Sequence, residues 1–356
     1  MKTHRHERSR GTGKAKKAEA PRYVVTGGAG FVGGNLVAAL SAREPEAEII
    51  VVDDFRTGSH ANIVEAYVRA GLAPFSGVVL PVGVEEFDFD AMLQAMHVDT
   101  VFHLAAITDT TVAAEAQMIA VNATPMLSLM QACVTAAVPL VYASSAATYG
   151  TPPEAARRTP FAVGSAGVPN NVYGFSKWLM ESEHRRLASS LSGQPQIVGL
   201  RYFNVFGPGE ARKGKMASMA YQLATQILGG KSPRLFRDGS QARDQVYVGD
   251  VVACTMAAAG LGAKAAPIPG IYNVGSGEAT SFAQVAGAVR KGLGLKPGDR
   301  EIEYFEMPAE VRAFYQDYTC ADVSASKAGL GWSPMHDPVK AIEEYARELR
   351  KSAAKT

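Results

Sequence analysis

A doubly wound parallel α/β sheet with a smaller second α/β lobe is the architecture this sequence predicts, and three observations carry the prediction. Short runs rich in Val and Ile alternate with longer helical stretches from Tyr23 to Asn204. Such near-continuous apolar strands belong to sheets covered by helices on both faces. The first of these strands runs straight into a glycine cluster, TGGAGFVG (26–33), and then into a helix. After Asn204 the texture changes to a stretch rich in Gly, Pro, Lys, Arg and Met over 205–245.

In chain order, YVVT (23–26) reads as the first strand and 31–42 as the first helix. IIVVDD (49–54) and TVFHLAA (100–106) read as strands, and 111–136 as helical with an interruption near Pro125. PLVYASS (139–145) is a strand, 172–191 a long helix and QIVGLRYFN (196–204) a further strand. The division expected from this pattern has three parts. Residues 1–20 form a basic extension. Residues 21–203, with about 246–275 and 317–330, form the sheet domain. About 204–245, 276–316 and 331–356 form the smaller lobe.

The 356 residues are 47% hydrophobic and 20% charged, an ordinary globular composition. The net charge of +2 is uneven. Residues 1–20 hold seven Lys/Arg and two Glu, leaving 29 basic and 32 acidic residues over 21–356, a net −3. A body of that charge excludes a nucleic-acid partner, and the basic head reads as a solvated tail. Cys133, Cys254 and Cys320 are odd in number, far apart and without metal-ligand spacing, which points to reduced structural thiols in a cytoplasmic protein and to no metal. No run of 18 apolar residues exists, so no membrane span is expected, and the first strand with its glycines is too Gly-rich for a signal sequence.

The glycine cluster has a specific chemistry. Gly27 permits a tight turn, Gly30 lets backbone approach a pyrophosphate, and Gly33 lets helix and strand pack closely. The helix N-terminus adds N–H donors and the positive end of its dipole. Asp53 closes the second strand about 20 residues on, where an acid binds adenosine ribose hydroxyls. This is the Rossmann-type arrangement for a nicotinamide dinucleotide. Asp53 and Asp54 together repel a 2′-phosphate and favour NAD, whereas Arg56 and His60 are cations able to attract one.

NVYGFSK (171–177) sets Tyr173 and Lys177 four apart on a helix, hence on one face. An ammonium beside a phenol lowers its pKa, which makes Tyr173 a general base. Ser145 ends its strand at the carboxyl edge, where ligands of such sheets bind.

Together these motifs resemble the extended short-chain dehydrogenase/reductase superfamily over about 22–350. The resemblance implies that Tyr173 is the acid/base, that Lys177 binds the nicotinamide ribose and tunes the tyrosine, and that Ser145 orients the substrate hydroxyl. It extends the cofactor-binding set to Phe31, Val32, Leu104, Ala105, Ala106, Asn122 and Val205. In YASSAATYG (142–150), Ala146 and Ala147 stand where nucleotide-sugar 4,6-dehydratases carry an Asp-Glu pair, which argues against dehydration.

This stretch, NVYGFSK and QIVGLRYFNVFGPGEARKGKMASM (196–219) are similar to the corresponding parts of ADP-L-glycero-D-manno-heptose 6-epimerases. By that likeness Lys213 is a second catalytic base, and Asn204 contacts substrate. SPRLFRDGSQARDQVYVGD (232–250) resembles a nucleotide-diphosphate sugar signature, with Arg243 on the diphosphate and Phe236 to Ser240 near the nucleotide. Tyr315 matches a substrate-contacting tyrosine. The sequence departs from the pattern where Lys215 replaces a serine, Gln222 a histidine and Asp54 an asparagine, and RDGSQARDQ is also close to UDP-hexose 4-epimerases. The implied substrate is an ADP-sugar or another nucleotide sugar. The implied cofactor is NADP by family and NAD by Asp53 and Asp54. The implied assembly is a homo-oligomer.

Overall fold

The structure is a computed structural model that describes residues 19–109, 114–151, 158–190, 196–262, 265–306 and 316–354. Its first half alternates β1 (Arg22–Thr26), α1 (Phe31–Arg43), β2 (Glu48–Val52), α2 (His60–Ala70), β3 (Val78–Leu80), α3 (Phe89–Ala95), β4 (Thr100–His103), α4 (Glu115–Asn122), α5 (Thr124–Ala136), β5 (Leu140–Ser145), α6 (Val172–Ser190) and β6 (Ile197–Tyr202). The second half runs β7 (Asn204–Phe206), α7 (Met219–Leu228), β8 (Arg234–Phe236), β9 (Ala242–Tyr247), α8 (Val248–Ala258), β10 (Gly270–Val274), β11 (Ala279–Ser281), α9 (Phe282–Gly292), β12 (Glu303–Phe305), α10 (Ser324–Leu330) and α11 (Pro338–Ala353).

Seven strands pair in the order β10-β6-β5-β4-β1-β2-β3, all parallel. The strand order reverses between β1 and β4, which opens a crevice at their carboxyl ends. Register brings those ends level: Thr26 lies opposite both Val52 and His103, and Ser145 opposite Tyr202. Neighbouring strand residues serve opposite faces. Val25 and Val51 pack with Leu36, Val37 and Val251 of α1 and α8, while Val24 and Ile50 pack with Met126, Leu129 and Met180 of α5 and α6. Double burial is why these strands read as unbroken apolar runs.

The strand expected over 196–204 is in fact two. β6 ends at Tyr202, the Phe203 N–H donates to the Val274 carbonyl (3.0 Å), and β7 leaves the large sheet to pair with β9. β9 pairs in turn with β11, and β8 with β12. Val246 and Tyr247 thus end a strand of the small sheet before α8 begins at Val248. A separate apolar cluster of Phe206, Leu223, Ile227, Val285, Val289, Ile342 and Tyr345 holds α7, α9 and α11 together beside it. Two other strands are shorter than their apolar runs: β2 stops at Val52 and β4 at His103, where the chain turns into the crevice.

The helical stretch over 111–136 breaks as its proline requires. α5 begins at Thr124 with Pro125 in its first turn, where no N–H is missed. Glu115–Ala136 is, among the described residues, the one helical stretch long and apolar enough to cross a membrane, but 56% of its apolar 18-residue span is buried inside the fold, as in a core helix. All three cysteines are buried and unbridged.

Candidate active site

A cavity of about 900 Å³ runs along the carboxyl ends of β1, β2, β4, β5 and β6 into the smaller lobe. Its floor is the glycine turn. Gly27 has φ +67°, and a Cβ there would stand 2.7 Å from the Ala105 nitrogen. A Cβ on Gly33 would collide with the Gly27 carbonyl oxygen. Only glycine lets β1, the turn and α1 approach this closely. Gly30 caps α1 with no side chain over its first N–H groups, so these donors remain for an anionic ligand. A dinucleotide pyrophosphate fits this cradle on both counts, shape and donor supply.

Phe31, Val32, Leu104, Ala105, Ala106 and Val205 line the same cavity, as do Asp53, Asp54 and Arg56. Asp53 is buried. Its oxygens accept from the Ala29 and Phe55 N–H groups (both 2.9 Å), each keeping a lone pair for a further donor. Burial raises its carboxyl pKa, and the Phe55 and Ala29 bonds oppose the rise.

Ser145, Tyr173 and Lys177 meet at the end of β5. The Tyr173 hydroxyl is hydrogen-bonded to the Ser145 side chain, whose Oγ also accepts from the Ala147 N–H (3.1 Å). Lys177, one helical turn on, is buried and donates from Nζ to the Ala143 carbonyl (2.9 Å). Burial pushes its pKa down to about 7, with Glu181 opposing. Contrary to the expectation from the Tyr–Lys spacing, the ammonium does not bring the phenol toward neutrality here. Burial raises the Tyr173 pKa, the Ser145 hydrogen bond opposes it, and the lysine is engaged with Ala143 instead.

Beneath this group lies a buried ionic network. Glu181 follows Lys177 by one turn of α6 and pairs with Arg201 of β6 through two contacts of 2.7 and 2.6 Å. It also accepts from Ser144 Oγ (2.6 Å) and Arg185 (2.8 Å), and Arg201 reaches the Tyr149 hydroxyl and the Val163 carbonyl. The network ties α6 to β5 and β6 directly below the reactive side chains.

The opposite wall comes from the segment Glu210–Met216. Glu210 is fully buried and fastens both ends of the segment by accepting from the N–H groups of Gly207 and Ser218 and from the Ser218 hydroxyl. Lys213 rises from it with Nζ 5.3 Å above the centre of the Phe31 ring. Burial lowers its pKa, with Glu210 pulling the other way. Lys215 pairs with Asp109 across the cavity (3.0 Å). Gln222 also lines the cavity, but its amide nitrogen donates to the Lys215 and Ala217 carbonyls and so braces the loop. Asn204, Phe236 and Arg243 complete this wall. Asn204 donates to the Asp244 carbonyl (3.1 Å), and Asp244, buried and pushed up to about 6, accepts from Ser276, Gly277 and Ala321 to hold the loops behind.

Two residues expected at the cofactor are not among those that line the cavity. His60 opens α2 in an exposed position outside the cavity lining, one residue after the helix cap Ser59. Asn122 is buried, and its amide closes on Ile107 N–H (2.8 Å), Ile107 carbonyl (3.0 Å) and Ser176, bracing the β4 loop from behind. Tyr315, and residues 1–18 of the basic extension, lie outside the described residues. The sequence reading missed Glu85, Glu181, Arg201, Glu210 and Asp244. A charge inside a buried strand or one turn from a buried lysine demands a partner, and that signal was available for Arg201 and Glu181.

The profile of the NAD dependent epimerase/dehydratase family matches residues 23–275. The ADP-L-glycero-D-manno-heptose-6-epimerase of Helicobacter pylori is 32% identical, with 93% of this chain and 96% of that one covered and a TM-score of 0.78. The UDP-glucose 4-epimerase of Thermus thermophilus, solved with NAD, is 28% identical over 92% and 99%, with a TM-score of 0.72. The UDP-N-acetylglucosamine 4-epimerase of Methanobrevibacter ruminantium is 24% identical over 95% and 100%, with a TM-score of 0.79, and speaks to the fold alone. Backbone shape therefore does not rank these sugars, and side chains must.

Proposed function

Because the chain belongs to the NAD dependent epimerase/dehydratase family, we propose that it inverts C6 of ADP-glycero-manno-heptose through a transient 6-keto sugar. The observation that carries this reading is Lys213, a further acid/base candidate besides Tyr173, on the wall that completes the cavity of Tyr173. A nicotinamide dinucleotide bound with its pyrophosphate at the glycine turn would supply reversible hydride acceptance, so that no net redox occurs.

The protein's part is to manage one proton. In its phenolate form Tyr173 takes it from the C6 hydroxyl as C6 is oxidised and returns it when the same face is restored. Ser145, hydrogen-bonded to Tyr173, orients that hydroxyl. Inversion needs the ketone to present its other face, which for an exocyclic carbon requires only rotation about C5–C6. The carbonyl oxygen then occupies a second position, where Lys213, as its ammonium and with its pKa lowered by burial, gives the proton, and transfer of a proton from Tyr173 to Lys213 through solvent restores both groups for the next turnover. Arg243, Phe236 and Asn204 hold the diphosphate, nucleotide and sugar on the lobe side. The same reading has a self-associating cytoplasmic enzyme that supplies lipopolysaccharide core or a related surface glycan.

A UDP-hexose 4-epimerase is the alternative, favoured by the RDGSQARDQ segment and by the Thermus relative. It must turn a whole sugar ring and works with one tyrosine. Turnover of ADP-D-glycero-D-manno-heptose in D₂O tests the oxidation route. The inverted product should carry no deuterium at C6 by proton NMR, and deuterium there would mean direct proton abstraction from carbon.

A further inference from the structure

At the end of β2 the cavity is walled by Asp53, Asp54 and Arg56, and by Glu85 from the loop after β3. Arg56 is the guanidinium at this end, and it is engaged. Its Nη2 donates to Glu85 Oε1 at 2.8 Å and lies 2.9 Å from Asp54 Oδ2. Asp54 also accepts from the Arg56 backbone N–H (2.8 Å), which fixes the turn that presents the arginine. Burial raises the Glu85 pKa, but the Arg56 hydrogen bond, a backbone hydrogen bond and the arginine's charge together hold the carboxyl below its usual value. Two carboxylates, Asp54 and Glu85, thus face one guanidinium, Glu86 adds a further negative field on it, and His60 stands outside the lining.

We propose that the chain selects NAD⁺ over NADP⁺ and that Glu85 enforces the choice by holding Arg56 away from the adenosine 2′ position. The proposal rests on reading the glycine-floored cavity as a dinucleotide site. A 2′-phosphate brings a charge of about −1.5 to −2 and needs an arginine fork with donors to spare. Here the fork faces two carboxylates. The pair is half exposed and weak enough to break, but breaking it leaves Asp54 and Glu85 uncompensated beside the phosphate. A neutral 2′-hydroxyl meets the reverse situation, since carboxylates accept from it.

The test is equilibrium binding by calorimetry to protein stripped of nucleotide, with no sugar present. Wild type should bind NAD⁺ tighter than NADP⁺ by about tenfold or more. Glu85→Gln, which keeps the shape and removes the charge, should lower that preference by about tenfold. Arg56→Ala added to Glu85→Gln should restore the preference, because the gain requires the freed guanidinium. Equal or tighter NADP⁺ binding by wild type, or a preference unmoved by Glu85→Gln, would overturn the role of Glu85. Failure of both dinucleotides to bind folded wild type would instead overturn the cavity assignment, and the inference with it.

Discussion

Lys213→Met is expected to lose C6 inversion by about 10² to 10⁴-fold, the usual worth of a positioned acid/base group, while the protein still binds dinucleotide. The lysine sits over the Phe31 ring in a segment fastened by Glu210, so a flexible side chain of similar length keeps the packing. What it removes is the proton donor at the second carbonyl position. In the proposed mechanism Tyr173, beside Ser145 on the far wall, serves the first position. The check is the rate of C6 inversion beside dinucleotide affinity. Near-normal turnover would take Lys213 out of the chemistry and leave one tyrosine serving both positions, as a ring-carbon epimerase does.

The second large effect is on stability. Glu181→Ala should destabilise the fold by about 3–5 kcal/mol, because it strands a buried charge. Glu181 and Arg201 are both fully buried, so solvent screens neither, and their two contacts of 2.7 and 2.6 Å are the main compensation for placing a guanidinium inside the sheet. The variant also removes the acceptor of Ser144 and Arg185 and the anion that supports the Lys177 ammonium. Urea unfolding would show a lower midpoint. An unchanged midpoint would mean that water or a rearranged side chain satisfies Arg201 without Glu181.

The contrast between these two predictions also marks what is legible in a chain of this kind. Gly27, Gly33, Tyr173 and Lys177 could be read because each belongs to a short-range pattern whose geometry follows from one turn or one helix. β7 could not be separated from β6, because the apolar pattern is continuous through Phe203 and the break depends on Val274, brought alongside by β10. The exposed place of His60 at the start of α2, outside the cavity lining, does not follow from its nearness in sequence to Arg56. Distance in sequence hid the Arg56–Glu85 pair, whose partners are 29 residues apart and meet only because β3 lies beside β2. The spacing of Tyr173 and Lys177 was readable, yet the state of the phenol was not, because burial and the Ala143 carbonyl decide where the ammonium is engaged.

The most direct test of the account is a paired incubation of the purified protein with ADP-D-glycero-D-manno-heptose and with UDP-galactose, read for sugar configuration by proton NMR. The two-base cavity predicts inversion at C6 of the heptose and no change at C4 of the hexose. Inversion at C4 of the hexose alone would contradict it and return Lys213 to the role of a binding-loop residue.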